Sequence, residues 1–159
     1  MSGHGYSVTV TWSRGDAEFA DGSYSRAHEW HFDGGTVVPA SASPSIVGPE
    51  RAREDAVDPE EAFVAALSSC HMLTFLDLAR RAGFTVDSYE DRAEGSMARL
   101  ERGRWWVDRV LLQPRVAFSG DRQPDASELD ALHEDAHRRC FIANSVRTDV
   151  SVAPPPGNA

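Results

Sequence analysis

The feature that most constrains the fold is a long apolar helix near the middle of the chain. Asp58 can cap it, Pro59 suits its first turn, and Glu61 lies three residues after the cap. It should end near Arg81, before Gly83, because basic residues followed by glycine are typical of helix C-termini. Apolar side chains occupy nearly its whole circumference, so we expect it to be buried on most sides. A small domain covers such a helix poorly, and we expect a partner chain to help.

Length and charge exclude several classes of protein. The 159 residues predict one domain over 1–152 and a disordered tail over 153–159. A net charge of -9 argues against nucleic-acid and anionic-membrane partners, which need basic patches. All sixteen basic residues are arginine, which excludes a Schiff-base or P-loop lysine. The start of the chain lacks a signal-peptide pattern, and residues 62–79 are too short and too polar for a membrane span, so we expect a cytoplasmic protein.

Alternating apolar and polar residues predict strands before this helix. Residues 6–12 and His28–Phe32 alternate cleanly. The Asp-Gly-Gly turn at 33–35 predicts a hairpin into 36–38. Residues 41–57 have no periodicity and predict a long loop.

After the helix, further strands and a second helix are expected. Residues 84–100 predict a weak strand and 106–118 a stronger one, in which Pro114 marks an edge or a bulge. Ala126–Arg139 predicts a helix capped by Asp125 or Ser127, and 148–152 a last strand. Runs of strands with two inserted helices indicate an α+β fold.

The two cysteines, Cys70 and Cys140, are the main candidates for chemistry. They do not form a Cys-x-x-Cys pair and can meet only through the fold. If they meet, they form a two-thiol redox site; if not, they are small core residues. The residues that share the helical face of Cys70 include neither a base nor a cation, and His71 points about 100° away. Any activating charge must therefore come from another element.

A metal site is the alternative. His133, His137 and Cys140 follow one another at i, i+4 and i+7 on one helical stripe. Imidazole and thiolate at this spacing can bind zinc, with Cys70 as a possible fourth ligand. The chain would then be a zinc or small-ligand binding protein without peroxidase activity. Apolar neighbours on the same stripe equally favour a packed core.

The segments around both cysteines carry a family resemblance. Residues 58–71 read Asp-Pro-Glu-Glu-Ala-Phe-Val-Ala-Ala-Leu-Ser-Ser-Cys-His, and residues 136–145 read Ala-His-Arg-Arg-Cys-Phe-Ile-Ala-Asn-Ser. They resemble the two cysteine motifs of the OsmC/Ohr family of osmotically induced and organic hydroperoxide resistance proteins. The second motif has Phe141 and Ala143 where the common form has proline and serine. The likeness extends over most of the chain.

The resemblance implies a fold and roles for particular residues. The fold would be OsmC-like, an antiparallel sheet with a long buried central helix and a second helix, in an intertwined homodimer. Cys70 matches the peroxidatic cysteine and Cys140 the resolving one. Glu60 matches a glutamate that orients a thiolate-activating arginine, for which Arg26 is the candidate and Arg14 the alternative.

The implied activity is a thiol-dependent peroxidase without a metal or bound cofactor. A hydroperoxide would oxidise Cys70 to a sulfenic acid, Cys140 would form a disulfide with it, and a dithiol reductant, of lipoyl type by resemblance, would restore both thiols. The apolar neighbours Phe63, Leu67 and Leu73 would favour organic hydroperoxides.

One geometric constraint concerns the predicted glutamate. Glu60 and Cys70 are ten residues apart on one helix, which is about 15 Å along its axis. One arginine cannot easily touch both side chains within one chain. If both belong to one site, we expect Glu60 to come from the partner subunit, or the arginine to reach across from another element.

Overall fold

The computed structural model describes residues 5–153. The chain forms two compact units, Met1–Ala62 and Phe63–Ala159. The single domain expected over 1–152 stays a prediction, and all but the first residue of the expected tail at 153–159 lies outside the described residues.

The first unit is built on a three-stranded antiparallel sheet. Its strands are paired in the order β1 (Val8–Thr11), β2 (His28–Phe32) and β3 (Val37–Ala40). The predicted hairpin between β2 and β3 is confirmed, and Gly35 takes a left-handed φ of 85° in its turn. The expected long loop at 41–57 contains a one-turn helix, α1 (Pro44–Val47).

The long helix α2 (Pro59–Arg81) has the predicted bounds. Asp58 and Glu61 form a reciprocal cap: the Glu61 N–H donates to Asp58 Oδ1 over 2.7 Å, and the Asp58 N–H donates to Glu61 Oε2 over 3.2 Å. The helix ends because Gly83 adopts a φ of 83°, a conformation that favours glycine.

The second unit adds one helix, α3, and five strands to α2. In chain order they are β4 (Thr85–Asp91), β5 (Glu94–Glu101), β6 (Arg104–Leu112), β7 (Pro114–Ser119), α3 (Ala126–Arg139) and β8 (Asp149–Val152). β4 pairs with β7, and β5, β6 and β8 form a separate sheet. A capping box at Asp125 starts α3, so Asp125 is the cap and Ser127, the other predicted candidate, is not.

The sequence-based strands differ from the structure in two ways. The expected strands at 84–100 and 106–118 are each divided in two, and Pro114 opens β7 because proline cannot donate to the middle of a ladder. The pairing is not wholly antiparallel, since β8 lies parallel to β6, with Val150 opposite Val110. This is possible because the segment containing α3 separates the two strands in the chain.

The core of the second unit lies along one stripe of α2. Its fully buried residues recur every four positions, at Leu67, His71, Phe75 and Ala79. Phe75 and Ala79 pack against α3, and Leu67 packs against β6 and β8. The other faces are half-buried or exposed, and Leu73 is 61 % exposed. A single chain therefore encloses this stripe fully and covers the flanking residues of α2 only in part, which is less than the burial on most sides that the sequence predicts.

The apolar character of α2 also bears on the membrane expectation. Within residues 5–153, α2 is the one helix whose length and composition would allow it to cross a membrane. The prediction that residues 62–79 are too polar to span a membrane is therefore not supported by the composition of α2. Core helices of soluble proteins have the same composition, and Leu67 and Phe75 of α2 are fully buried in packed clusters.

Two leucines of α2 test this one-sided packing. We expect Leu67→Ala to lower the free energy of unfolding by about 2–5 kcal/mol, because it leaves a cavity in the core. Leu73→Ala is the matched control and should change it by less than about 0.5 kcal/mol. Denaturant titration measures both. Equal losses would show that a partner chain covers Leu73 in solution.

Candidate active site

The structure brings the two cysteines of the chain together. Cys70 lies in the middle of α2, and Cys140 is the C-terminal cap of α3. Both are free thiols, and their side chains are close enough to hydrogen-bond to each other. Cys140 is 1 % exposed, whereas Cys70 is partly exposed. The two thiols therefore differ in their access to solvent.

The surroundings of Cys140 keep its thiol protonated. Burial is the main cause, and the hydrogen bond with Cys70 adds to it; together they raise the pKa of Cys140 to about 11. The backbone N–H of Ala143 donates to Cys140 Sγ over 3.4 Å and opposes this shift in part. At neutral pH, Cys140 is therefore a protonated thiol that lies beside the Cys70 side chain.

A network of hydrogen bonds holds the segment after Cys140. Asn144 Nδ2 donates to the carbonyl oxygens of Arg138 and Cys140, over 2.9 and 3.0 Å. Ser145 Oγ donates to the Phe141 carbonyl over 2.7 Å. These contacts satisfy carbonyls at the end of α3 and fix the backbone around Cys140. The sequence signal for them was the Asn-Ser pair that ends the second motif.

Cys70 lines an open groove of about 840 Å³. The apolar side chains that line it include Leu73, Phe141 and Ile142, which are all exposed. Phe141 is 80 % exposed and replaces the proline of the common motif. The groove is large and apolar enough for an organic molecule beside the Cys70 sulfur.

Two arginines that sequence reasoning did not single out also line this groove. Arg81 pairs with Asp77 over 2.8 Å, and Arg139 pairs with Asp135 over 3.3 Å. Each is thus already engaged with a carboxylate of its own helix. Both guanidinium groups are permanently charged, but each is already paired with a carboxylate.

The three apolar residues expected to bind substrate are not together. Leu73 lines the Cys70 groove. Leu67 has no exposed surface and packs against β6, because its direction on α2 differs from that of Cys70. Phe63 lines a different groove beside Trp106. In this chain, therefore, only Leu73 of the three can contact a molecule in the Cys70 groove.

The expected activating residues lie outside the second unit. The Arg26 guanidinium stacks on the Tyr24 ring, 3.6 Å from its centroid, and donates to the Tyr24 carbonyl. Arg14 donates to the Ala17 carbonyl. Glu60 is half-buried in the first turn of α2. The roles of Arg26, Arg14 and Glu60 toward Cys70 stay predictions.

A buried pair of imidazoles joins α2 to α3. His71 Nε2 and His133 Nδ1 are 3.1 Å apart. His71 Nδ1 is buried without a partner, so we assign it as the bare acceptor nitrogen. His71 then carries its proton on Nε2 and donates it to His133. Burial, and for His71 also the nearby His133 and His137, lowers the pKa of each ring to about 4.

This arrangement contradicts the zinc alternative. His133 faces His71, whereas the Cys140 sulfur faces Cys70 and the Ala143 N–H. Across residues 5–153, no three histidine, cysteine or acidic side chains converge as a metal site. Helical spacing places His133, His137 and Cys140 on one stripe, but the His133 nitrogen and the Cys140 sulfur face different partners.

The imidazole pair predicts a loss of stability in acid. The unfolded chain binds protons on these rings near pH 6.5, whereas the folded chain does so only near pH 4. Unfolding therefore takes up protons between these values, and stability falls as the pH falls through this range. The loss should be on the order of 2 kcal/mol per ring at pH 5. Chemical denaturation between pH 7 and 4.5 measures it, and a flat profile would contradict the burial of neutral rings.

Comparison with known proteins agrees with this fold. An OsmC-like protein of unknown function from Vibrio cholerae O1, whose structure has been solved, is 50 % identical, with a TM-score of 0.91 over 94 % of this chain and 98 % of that one. An organic hydroperoxide resistance protein from Elizabethkingia anophelis, crystallised with thiocyanate, shares the fold at 19 % identity, with a TM-score of 0.71 over 96 % and 99 % of the two chains.

A curated relative and a family model extend the comparison. Peroxiredoxin OsmC of Escherichia coli K12 is 25 % identical over 99 residues, which are 62 % of this chain and 66 %, just under two thirds, of that relative. Residues 52–154 match the family model described as OsmC-like protein. The resemblance seen in the sequence is confirmed, and the chain belongs to the OsmC-like protein family.

Proposed function

We propose that this chain is a thiol-dependent peroxidase that reduces organic hydroperoxides. The observation that carries the proposal is the contact between a partly exposed Cys70 in an apolar groove and a buried, protonated Cys140. The name of the Escherichia coli relative, Peroxiredoxin OsmC, supports the same class of reaction.

In the first step, the Cys70 thiolate attacks one peroxide oxygen of ROOH. The S–O bond forms as the O–O bond breaks, and the leaving alkoxide takes a proton from solvent to give ROH. Cys70 is oxidised to the sulfenic acid. The Cys140 S–H stabilises the thiolate before this attack, and the proposed Arg26, oriented by Glu60, adds a cation.

In the second step, the Cys140 sulfur attacks the Cys70 sulfenic acid. The S–S bond forms, the S–O bond breaks, and the hydroxyl leaves as water with the Cys140 proton. Little movement is needed, because the two side chains are already in contact. Burial of Cys140 keeps the peroxide away from it, so that Cys140 is not oxidised first.

In the third step, an external dithiol reduces the disulfide by two exchanges and is itself oxidised to a disulfide. The family resemblance favours a lipoyl-type dithiol. Groove residues Leu73 and Phe141 favour an organic hydroperoxide, since they offer apolar contact and no fixed charge. We propose that a cytoplasmic homodimer performs this cycle, with the partner subunit supplying Glu60.

Peroxide turnover tests this function. With tert-butyl hydroperoxide and dihydrolipoamide, Cys70→Ser should lower the rate at least about a hundredfold, because a hydroxyl is a far weaker nucleophile than a thiolate. Ser88→Ala, an exposed change on β4, is the control and should retain the full rate. Coupled absorbance assays measure the rates. An unchanged rate in Cys70→Ser would refute the mechanism.

A further inference from the structure

Two imidazoles connect the helices that carry the cysteines. His71 of α2 and His133 of α3 share a hydrogen bond of 3.1 Å, and their rings lie nearly parallel, 8° apart in plane. Apart from the thiol contact between Cys70 and Cys140 at the end of α3, this is the only hydrogen bond within residues 5–153 that joins a side chain of α2 to a side chain of α3. The remaining contacts between the two helices in this core are apolar, as between Phe75 and Leu132.

The pair lies close to the thiols along both helices. His71 directly follows Cys70, and His133 precedes Cys140 by seven residues, which is two turns or about 10 Å. A shift of α3 along or around α2 would therefore move Cys140 away from Cys70. The imidazole hydrogen bond resists such a shift, because it is directional and apolar contacts are not.

The free energy of folding does not explain why two histidines occupy these positions. Both rings are buried, and the Nδ1 atom of His71 has no partner. A buried polar atom without a partner costs free energy, and two apolar side chains of similar shape would leave none. His133 already stacks on Phe75, with centroids 4.4 Å apart, as a phenyl ring would.

Burial keeps the pair neutral. Of the titratable groups around it, His137 of α3 lowers the pKa of His71, and Asp91 of β4 raises it. Asp91 itself accepts hydrogen bonds from Ser68 and from the Gln113 backbone. A cavity of about 350 Å³ beside His133 is lined by further charged groups, Asp130 and Glu134. A neutral pair keeps a well-defined donor and acceptor at neutral pH.

We propose that His71 and His133 are positioning residues, which hold α2 and α3 in the register at which Cys70 meets Cys140. The inference rests on the proposed function, because the Cys70–Cys140 disulfide is a step of that cycle. Neither imidazole touches the peroxide in this account. Each acts only through the placement of a thiol.

Equilibrium with glutathione at pH 7.5 tests the placement without any peroxide. Oxidised glutathione takes two electrons and two protons from the thiols, which leaves the disulfide and two reduced glutathiones. We expect His133→Phe to lower the equilibrium constant for the disulfide about tenfold, which raises its reduction potential by about 30 mV. His133→Asn should stay within about threefold of wild type, because its Oδ1 can accept the proton of His71 Nε2.

Controls separate positioning from stability. His137→Asn, on the same helix, removes an imidazole that has no hydrogen bond at Nδ1 and should leave the potential unchanged. The double variant His71→Phe/His133→Phe leaves no buried imidazole nitrogen unpaired, so the unfolding free energy of its reduced form should equal or exceed that of wild type. If the potential of folded His133→Phe is unchanged, or His133→Asn shifts as much as His133→Phe, the proposal is wrong. A wild-type protein that forms no disulfide in these buffers also overturns it.

Wild-type protein supplies a second measurement if His133→Phe does not fold. If the hydrogen-bonded imidazole pair favours formation of the disulfide, the disulfide must favour the neutral, hydrogen-bonded imidazole pair by the same free energy. NMR titration should then place protonation of the rings about one pH unit lower in the oxidised protein than in the reduced protein. Equal midpoints would overturn the proposal. Absent peroxide turnover with a normal disulfide would instead refute only the proposed function.

Discussion

The second unit depends on the burial of one stripe of α2. Leu67, His71, Phe75 and Ala79 recur every four residues and are fully enclosed. The N-terminal part of the stripe, at Leu67, is covered by β6 and β8. The C-terminal part, at Phe75 and Ala79, is covered by α3. Because a helix turns about 100° per residue, this choice of face fixes the direction of every other side chain on α2.

The chemistry follows from the same geometry. Because His71 is turned into the core, the neighbouring Cys70 points away from it. The Cys70 thiol is partly exposed and lines the groove. Cys140, at the C-terminus of α3, is buried. One thiol is therefore accessible and the other buried, which is the asymmetry that a peroxidatic and a resolving cysteine require.

Local signals predicted the helices well. Asp58, Glu61 and Gly83 fixed the ends of α2 because capping depends on residues within one turn. The parallel pairing of β8 with β6 could not be predicted, since it depends on contacts about forty residues apart. Leu67 was expected in the substrate site because sequence proximity to Cys70 does not reveal which face of a helix is covered.

The pairing of the cysteines entered through the family resemblance, because no local pattern connects residues 70 and 140. The contact between His71 and His133 has no sequence signal, because the two histidines lie 62 residues apart on different helices. The spacing within one helix indicates only how each relates to the cysteine of that helix. The structure shows that the two histidines face each other across the helix interface.

The central claim is that Cys70 and Cys140 act as one redox pair, and oxidation of the reduced protein by one equivalent of tert-butyl hydroperoxide tests it most directly. After rapid acid quenching and proteolysis, mass spectrometry should detect a Cys70–Cys140 disulfide-linked peptide as the main product. If Cys70 is oxidised while Cys140 remains a free thiol, or if both thiols survive, the two cysteines are not a redox pair and the account is wrong.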